Sequence, residues 1–164
     1  MYTIQLTRGY VAVVDDEFAW LDNWKWHATS GRGGPYAVRC SYPFEKNKPI
    51  KIQMHRIILG LSKLDSRQVD HRDHNTLNNT RSNLRIATRT QNMGNRKKQD
   101  GSSRYRGVSW DKQYKRWRAA IRINGRSKTL GRYLKEEEAA MAYDKAALDH
   151  FGEYANVNFD KVPA

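Results

Sequence analysis

The stretch VDHRDHNTLNNTRSNLRIATRTQNMGN, residues 69–95, is the most informative part of this 164-residue chain. It places an aspartate directly before a histidine, Asp70 and His71, and follows them with Asn83 and Asn92. Metal-assisted hydrolysis of a phosphodiester needs a carboxylate ligand, a neutral imidazole that takes a proton from water, and a further oxygen ligand. The stretch offers all three, and it therefore predicts a metal-dependent hydrolytic site.

The local structure of this stretch decides whether its residues can act together. Asp70 and His71 would leave a regular strand on opposite faces, so we expect the segment RDHN to form a turn that lets both address one phosphate. The Asn83 side chain can hydrogen-bond backbone groups across a loop, and TRTQNMGNR predicts a helix that carries Asn92. Turn chemistry alone also accounts for an asparagine-rich run, and the spacing leaves both interpretations open.

Composition restricts the classes of protein that the chain can belong to. The net charge is +13, the sequence pI is about 10.0 and only 38% of residues are hydrophobic, which favours two small domains that bind a polyanion. No apolar run approaches the roughly 18 residues of a membrane-spanning helix, and the N-terminus lacks the pattern of a signal peptide. Cys40 is the only cysteine, which excludes an internal disulfide and disfavours a zinc site with His74.

The chain divides into three stretches. YVAVV and PYAVRCSY predict strands with GRGG as the turn between them, and IKIQMHRIILGL predicts a strand that leads into a short helix. The polar segment RKKQDGSSR, residues 96–104, predicts a linker. We therefore predict a nuclease-type domain over residues 1–95, a basic linker over 96–104 and a second domain over 105–164.

The second domain has the sharpest secondary-structure pattern. YRGVSW, KRWRAAIRI and RSKTLGRYL predict three strands, and Asn124-Gly125 predicts a two-residue hairpin between the last two. LKEEEAAMAYDKAALDHF predicts a helix whose stripe of Ala139, Tyr143 and Ala147 lies on the sheet. Alternation in KRWRAAIRI puts arginines on one face and Trp117 on the core side. That cationic face suits a DNA major groove, although a solvated charged face is the alternative.

Several pieces of the first 95 residues, in order, resemble the HNH endonuclease family of phage genomes and self-splicing introns. They are LTRGYVAVVDDE, WKWHA, YAVR, MHRIILG, VDHRDHNTLNN and RSNLRIATRTQN. The resemblance implies a ββα-metal site that holds one divalent cation, Mg²⁺ or Mn²⁺, with His71 as the general base. It further implies that Asn83 orients the loop and the base, and that Asp70 and Asn92 are metal ligands. His55 matches a family position, where we expect it to be structural or to contact phosphate.

The end of the chain resembles the plant ethylene-response-factor (APETALA-two) DNA-binding domain, through YRGVSW, KRWRAAIRI, LGRY, EEEAAMAYDKAAL and FGEYANVNF. In that family a three-stranded sheet enters the major groove, which implies a DNA-binding role here. Ala120, Ser127 and Thr129 depart from the charged or aromatic residues of plant members, so the plant recognition sequence does not carry over. Over the whole chain, the arginines that we expect to contact DNA are Arg85, Arg89, Arg104, Arg106, Arg116, Arg118, Arg122 and Arg132.

Together these patterns predict an α+β protein, with a small ββα-metal (HNH) nuclease domain followed by a three-stranded antiparallel sheet packed on one helix. The predicted function is that of a metal-dependent, site-specific DNA endonuclease of the homing or phage mobile-element type, which nicks one strand. The predicted partner is double-stranded DNA, with no membrane and no small-molecule substrate, bound by a monomer or a DNA-assembled dimer in the cytoplasm of a bacterial host. The alternative is a non-catalytic DNA-binding regulator that uses the HNH scaffold as a second docking surface.

Overall fold

The computed structural model describes residues 1–31, 33–41, 49–96 and 100–159, and the chain forms two compact units, Met1–Ala87 and Thr88–Ala164. Both units combine short antiparallel sheets with helices, which confirms the predicted α+β class. The division falls before residue 95, where we predicted the first domain to end. Among the described residues, none of the helices has the length and apolar character needed to cross a bilayer.

The described residues of the first unit form three small antiparallel sheets and one short helix. Strand β1 (Tyr2–Gln5) pairs with β2 (Val11–Val14); β3 (His27–Gly31), β4 (Gly34–Ser41) and β5 (Ile50–Gln53) form the second sheet; β6 (Gln68–His71) pairs with β7 (Leu84–Ala87). Helix α1 (Met54–Ile58) follows β5, and 3₁₀ turns cover Thr7–Gly9 and Asp16–Asn23. One apolar core, which includes Ile4, Val14, Leu21, Trp26, Met54 and Ile58, joins these elements.

The strands predicted from YVAVV and PYAVRCSY are confirmed, but their connection is different. The glycine-rich turn joins β3 to β4, not β2 to β4, and β1 and β3 were not predicted. Gly33 and Gly34 have φ values of 104° and 140°, as a tight turn requires; Arg32 and Tyr42 lie outside the described residues. Strand β3, with the sequence HATSG, is short and polar. Its pairing with β4, and not an alternating hydrophobic pattern, makes it a strand.

The second unit is a three-stranded sheet backed by one helix, as predicted. The strands are β8 (Val108–Asp111), β9 (Arg116–Ile123) and β10 (Arg126–Tyr133), with β9 in the centre. The helices are α2 (Arg89–Gly94) and α3 (Glu136–Phe151), and a 3₁₀ turn covers Gly152–Tyr154.

Local sequence signals account for the form of this unit. Asn124 and Gly125 have φ values of 50° and 80°, the left-handed pair that a tight hairpin of type I′ needs. Ala139, Tyr143 and Ala147 of α3 are all buried, which confirms the predicted stripe against the sheet.

The described part of the predicted linker packs against this unit. The Ser102 hydroxyl accepts a hydrogen bond from the backbone N–H of Trp110 at 2.8 Å, and Ser103, only 4% exposed, accepts one from Tyr105 at 2.9 Å. Residues 97–99 lie outside the described residues. Serine side chains that bond to nearby backbone explain why a polar, glycine-containing run can still be ordered.

Gly107→Ala tests the packing of α3 on the sheet. Gly107 has a φ of 72°, and a Cβ there would lie 1.9 Å from Cδ2 of the buried Tyr143 ring. We expect the free energy of unfolding to fall by about 2–4 kcal/mol, because backbone strain adds to overpacking. Urea unfolding of the full chain measures this change.

Gly125→Ala is the matched control. Its φ of 80° gives similar backbone strain, but no heavy atom lies within 4 Å of the added Cβ. This variant should lose only about 1–2 kcal/mol. Equal losses for the two variants would contradict the close approach of Tyr143 to Gly107.

Candidate active site

Asp70, a predicted metal ligand, and His71, the predicted general base, lie at the end of β6, in its hairpin with β7. The register places Asp70 opposite Arg85 and His71 opposite Leu84. β6 ends at His71, and a turn at Arg72 and Asp73 follows directly, within the RDHN segment where we expected one. Asp70 and His71 are each only 5% exposed, which leaves a small part of either side chain for water or substrate.

Asp70 forms a buried ion pair with Arg85. Both Nε and Nη2 of Arg85 lie 2.7 Å from the Asp70 Oδ2, and the Arg85 side chain is 8% exposed. A buried carboxylate is costly unless a positive charge and hydrogen bonds compensate for the lost hydration. Arg85 supplies both, so a major role of this arginine is to compensate for the burial of the Asp70 carboxylate.

Asn83 fastens the loop between β6 and β7. Its side-chain oxygen accepts a hydrogen bond from the backbone N–H of Asp73 at 3.0 Å, and its amide nitrogen donates to the carbonyl of Asn78 at 2.7 Å. Its own carbonyl accepts from Arg72 at 3.0 Å. This is the cross-loop bonding that the sequence predicted, and it fixes the chain immediately after His71.

The N-terminal hairpin supports the same loop from its other side. The backbone of Val13 donates to the carbonyl of Leu77 at 2.9 Å and accepts from Asn79 at 2.7 Å. The Asp15 carboxylate accepts from the backbone N–H of Arg81 at 2.7 Å. The β1–β2 hairpin is therefore part of the scaffold of the site, a role that its sequence did not indicate.

Two aromatic side chains surround His71: His55, which the sequence predicted to be structural or to contact phosphate, and Tyr36, which the sequence did not single out. The ring centroid of His55, on α1, lies 5.3 Å from that of His71, with an angle of 88° between the ring planes. Tyr36, on β4, lies 5.7 Å from His55 and 6.1 Å from His71. We call His71, His55 and Tyr36 the three-ring cluster.

The environment of His71 favours the neutral imidazole. Burial lowers the pKa of His71 below its ordinary value of 6.5. A hydrogen bond with the Asn79 side chain and the charges of Asp73 and Asp70 act in the opposite direction but do not cancel the effect. At neutral pH the ring is therefore in the form that accepts a proton.

The other two rings are also uncharged at neutral pH. Burial lowers the pKa of His55 to about 3, and the neighbouring His71 and Arg56 add to the shift. Burial, together with the charge of Asp70, raises the pKa of the Tyr36 hydroxyl above its ordinary value. His55 consequently does not compete with His71 for a proton.

Asn92, the second predicted metal ligand, lies on α2 in the second unit. Thr88 begins this helix with a capping box, in which its hydroxyl accepts from the Gln91 N–H and the Gln91 side chain accepts from the Thr88 N–H. Gly94 permits a close approach to Phe151, since a Cβ there would lie 2.6 Å from that ring. The role of Asn92 as a ligand stays a prediction.

The predicted ligands suit a hard cation. The Asp70 carboxylate and the Asn92 amide provide oxygen donors, which Mg²⁺ and Mn²⁺ prefer. Over residues 1–31, 33–41, 49–96 and 100–159, no group of three His, Cys, Asp or Glu side chains is placed to hold a metal ion. A Mg²⁺ site needs no such group, because it uses one or two carboxylates and completes its shell with water and substrate phosphate.

The sheet of the second unit presents exposed cations, which we call the arginine face. Alternation along β9 exposes three of them and buries Ala119 and Ile121 on the other side, as predicted. The register places a fourth, on β10, opposite Arg118. The arginine face consists of Arg116, Arg118, Arg122 and Arg132.

Two members of the arginine face are held in place by neighbours. The Arg122 Nε donates to the carbonyl of Gly125 at 3.1 Å. The Arg132 Nε donates to the Asp111 carboxylate at 2.9 Å, and its guanidinium lies 4.1 Å from the ring centroid of Tyr114. Such contacts order the side chains before any ligand arrives.

The other arginines predicted to contact DNA occupy different settings. Arg89 and Arg104 are exposed, and Arg104 pairs with Glu137 at 2.9 Å. Arg85 is buried against Asp70, and the half-buried Arg106 donates to the Tyr143 hydroxyl and to the carbonyl of Met93. The guanidinium groups of these last two bond within their own unit, and their contact with DNA stays a prediction.

Family models match both parts of the chain. An HNH endonuclease model matches residues 54–94, and an AP2 domain model matches residues 103–152. No solved structure matches the chain with significance.

Two kinds of relative agree with this division. An uncharacterized HNH endonuclease of Acanthamoeba polyphaga mimivirus is 34% identical over 165 residues, which cover 96% of this chain and 81% of that protein. An AP2-like ethylene-responsive transcription factor of Oryza sativa and an ethylene-responsive transcription factor of Arabidopsis thaliana are each 47% identical over 62 residues. Those residues are 37% of this chain but only 10% and 14% of the two plant proteins. The chain belongs to the HNH endonuclease family and carries an AP2 domain, so it is a nuclease with DNA as its partner.

Proposed function

We propose that this protein hydrolyses phosphodiester bonds of double-stranded DNA with one hard divalent cation, Mg²⁺ or Mn²⁺, at the end of the β6–β7 hairpin. The observation that carries the proposal is the placement of a buried imidazole, His71, directly after the Arg85-paired carboxylate of Asp70, at a strand end that Asn83 fixes. General base catalysis needs a proton acceptor of suitable pKa in a defined position.

Each residue of the site has a separate task. His71 accepts the proton of the attacking water, and Asn83 holds the following loop so that the imidazole keeps its place. Asp70 and Asn92 would provide ligands to the cation, and Arg85 forms an ion pair with the buried Asp70 carboxylate. When bound, the cation polarises the phosphodiester and stabilises the charge of the leaving oxygen.

The arginine face docks the duplex. Its four guanidinium groups lie on an uncovered sheet surface in a chain of net charge +13. Arginine contacts both phosphates and guanine edges of the major groove. Arg89 and Arg104, which are exposed, add contacts to the DNA backbone.

The described part of the chain contains one such hairpin site, so a monomer would nick one strand, and a double-strand break would require a DNA-assembled dimer. We further propose a site-specific enzyme of a mobile element, acting in the cytoplasm of its host. The viral source of the similar HNH endonuclease is in keeping with such a setting.

His71→Ala tests the enzyme proposal. The variant removes the proton acceptor but leaves the arginine face intact, so cleavage and binding should separate. We expect the rate of plasmid nicking in Mg²⁺ to fall by about 10²–10⁴-fold, with an unchanged Kd for duplex DNA measured in EDTA.

His150→Ala, an exposed histidine of α3, is the matched control and should cleave like the wild type. Undiminished nicking by His71→Ala would remove His71 as the base. Absence of metal-dependent nicking by the wild type itself would favour a DNA-binding regulator.

Arg122→Ala tests the docking surface. If this side chain reads a base, the binding free energy should weaken by about 1–3 kcal/mol; if it contacts a phosphate, the salt dependence of Kd should decrease by about one counterion. Fluorescence anisotropy with labelled duplexes at several salt concentrations distinguishes the two.

Lys145→Ala removes one exposed positive charge from α3, away from the arginine face. It should leave the binding free energy and the salt dependence of Kd nearly unchanged. Equal effects of the two substitutions would show that net charge, and not the sheet, governs binding.

A further inference from the structure

The three-ring cluster brings together side chains from three separate elements of the first unit. Tyr36 comes from β4, His55 from α1 and His71 from β6. The His55 and His71 rings are nearly perpendicular, with centroids 5.3 Å apart, and both side chains are 5% exposed. Edge-to-face packing at this distance is the arrangement that the ring quadrupoles favour.

The scaffold holds His55 firmly. Its neighbour Met54 is fully buried and Ile58, one turn later, is 2% exposed, so α1 is anchored in the core on both sides of His55. The Arg56 guanidinium also donates to the carbonyls of Ser62, Asp65 and Arg67, at 2.6, 2.8 and 3.0 Å. The helix therefore cannot shift without breaking these contacts.

Tyr36 is fixed just as closely. A Cβ on Gly31 would lie 2.6 Å from the Tyr36 Cε2, so the glycine allows the ring to lie against the backbone of β3. Tyr36 also pairs with Thr29 across the β3–β4 ladder. Gly31 and the β3–β4 pairing thus fix the position of the Tyr36 ring.

We propose that His55 and Tyr36 are positioning residues, whose rings fix the plane of the His71 imidazole for proton transfer. The proposal rests on the function proposed above for His71. A general base must keep its position to within a fraction of an ångström, and the side chains packed around it hold it there. An aromatic ring at position 55 is therefore required, while a hydrogen-bonding or charged group is not.

A neutral His55 agrees with this role. Burial keeps it uncharged at working pH, so it acts on His71 through shape and ring contact. A phosphate-contacting His55, the other expectation from the sequence, would gain from a positive charge that this environment opposes.

A pair of substitutions at position 55 separates ring packing from the filling of space. His55→Phe and His55→Leu both fill a buried position with an apolar side chain, but only phenylalanine keeps a ring. We expect His55→Phe to nick supercoiled plasmid in Mg²⁺ at close to the wild-type rate and His55→Leu to be slower by about 10²-fold. Both should keep the wild-type Kd for duplex DNA in EDTA.

Tyr36→Phe and Tyr36→Leu form a second pair, and the Phe variant should again cleave faster than the Leu variant. This pair serves as the test if thermal unfolding shows that a variant at position 55 is not folded. Equal rates for Phe and Leu in folded variants would overturn the positioning role. A raised Kd with an unchanged rate in the bound complex would show instead that His55 contacts phosphate.

His71→Ala separates the failure of this inference from the failure of the proposed function. An inactive His71→Ala together with a fully active His55→Leu would reject only the positioning role. A fully active His71→Ala would reject the proposed function, and this inference with it.

Discussion

A carboxylate that is only 5% exposed is strongly unfavourable unless it is paired, and Asp70 is such a group. Arg85, directly across the hairpin, pairs with it, so β6 and β7 must keep their register for the site to exist. A shift of one residue would turn every side chain to the other face and separate the two charges. The position of His71 follows from this register, because it is the next residue of β6.

The ion pair of Arg85 with Asp70 also shows that not every basic side chain of the chain lies on an open surface. Arg85 sits in the stretch that carries the catalytic residues, where a basic side chain suggests contact with DNA. Its guanidinium instead bonds to Asp70, and that of Arg106 bonds to Tyr143 and Met93. The arginine face, by contrast, places four exposed arginines on one sheet surface.

The second unit could be predicted almost element by element, because its signals are local. The alternation of β9, the Asn124-Gly125 turn and the alanine stripe of α3 each lie within a few residues. The first unit depends on pairings between distant segments, so β1 and β3 were missed and the glycine turn was joined to the wrong strand. Asp70, His71 and Asn83 were visible in one stretch, whereas Tyr36 and His55 approach His71 only through the packing of β4 and α1.

The central claim is that a buried, neutral His71 accepts the proton during DNA cleavage, and the pH dependence of plasmid nicking tests it most directly. Single-turnover rates in Mg²⁺ report the ionisation of the base in the bound complex. Since burial lowers the pKa of His71 below 6.5, the rate should hold steady as the pH falls to that value and decline only at lower pH. A decline centred at or above 6.5, or no cleavage at any pH, would contradict the account.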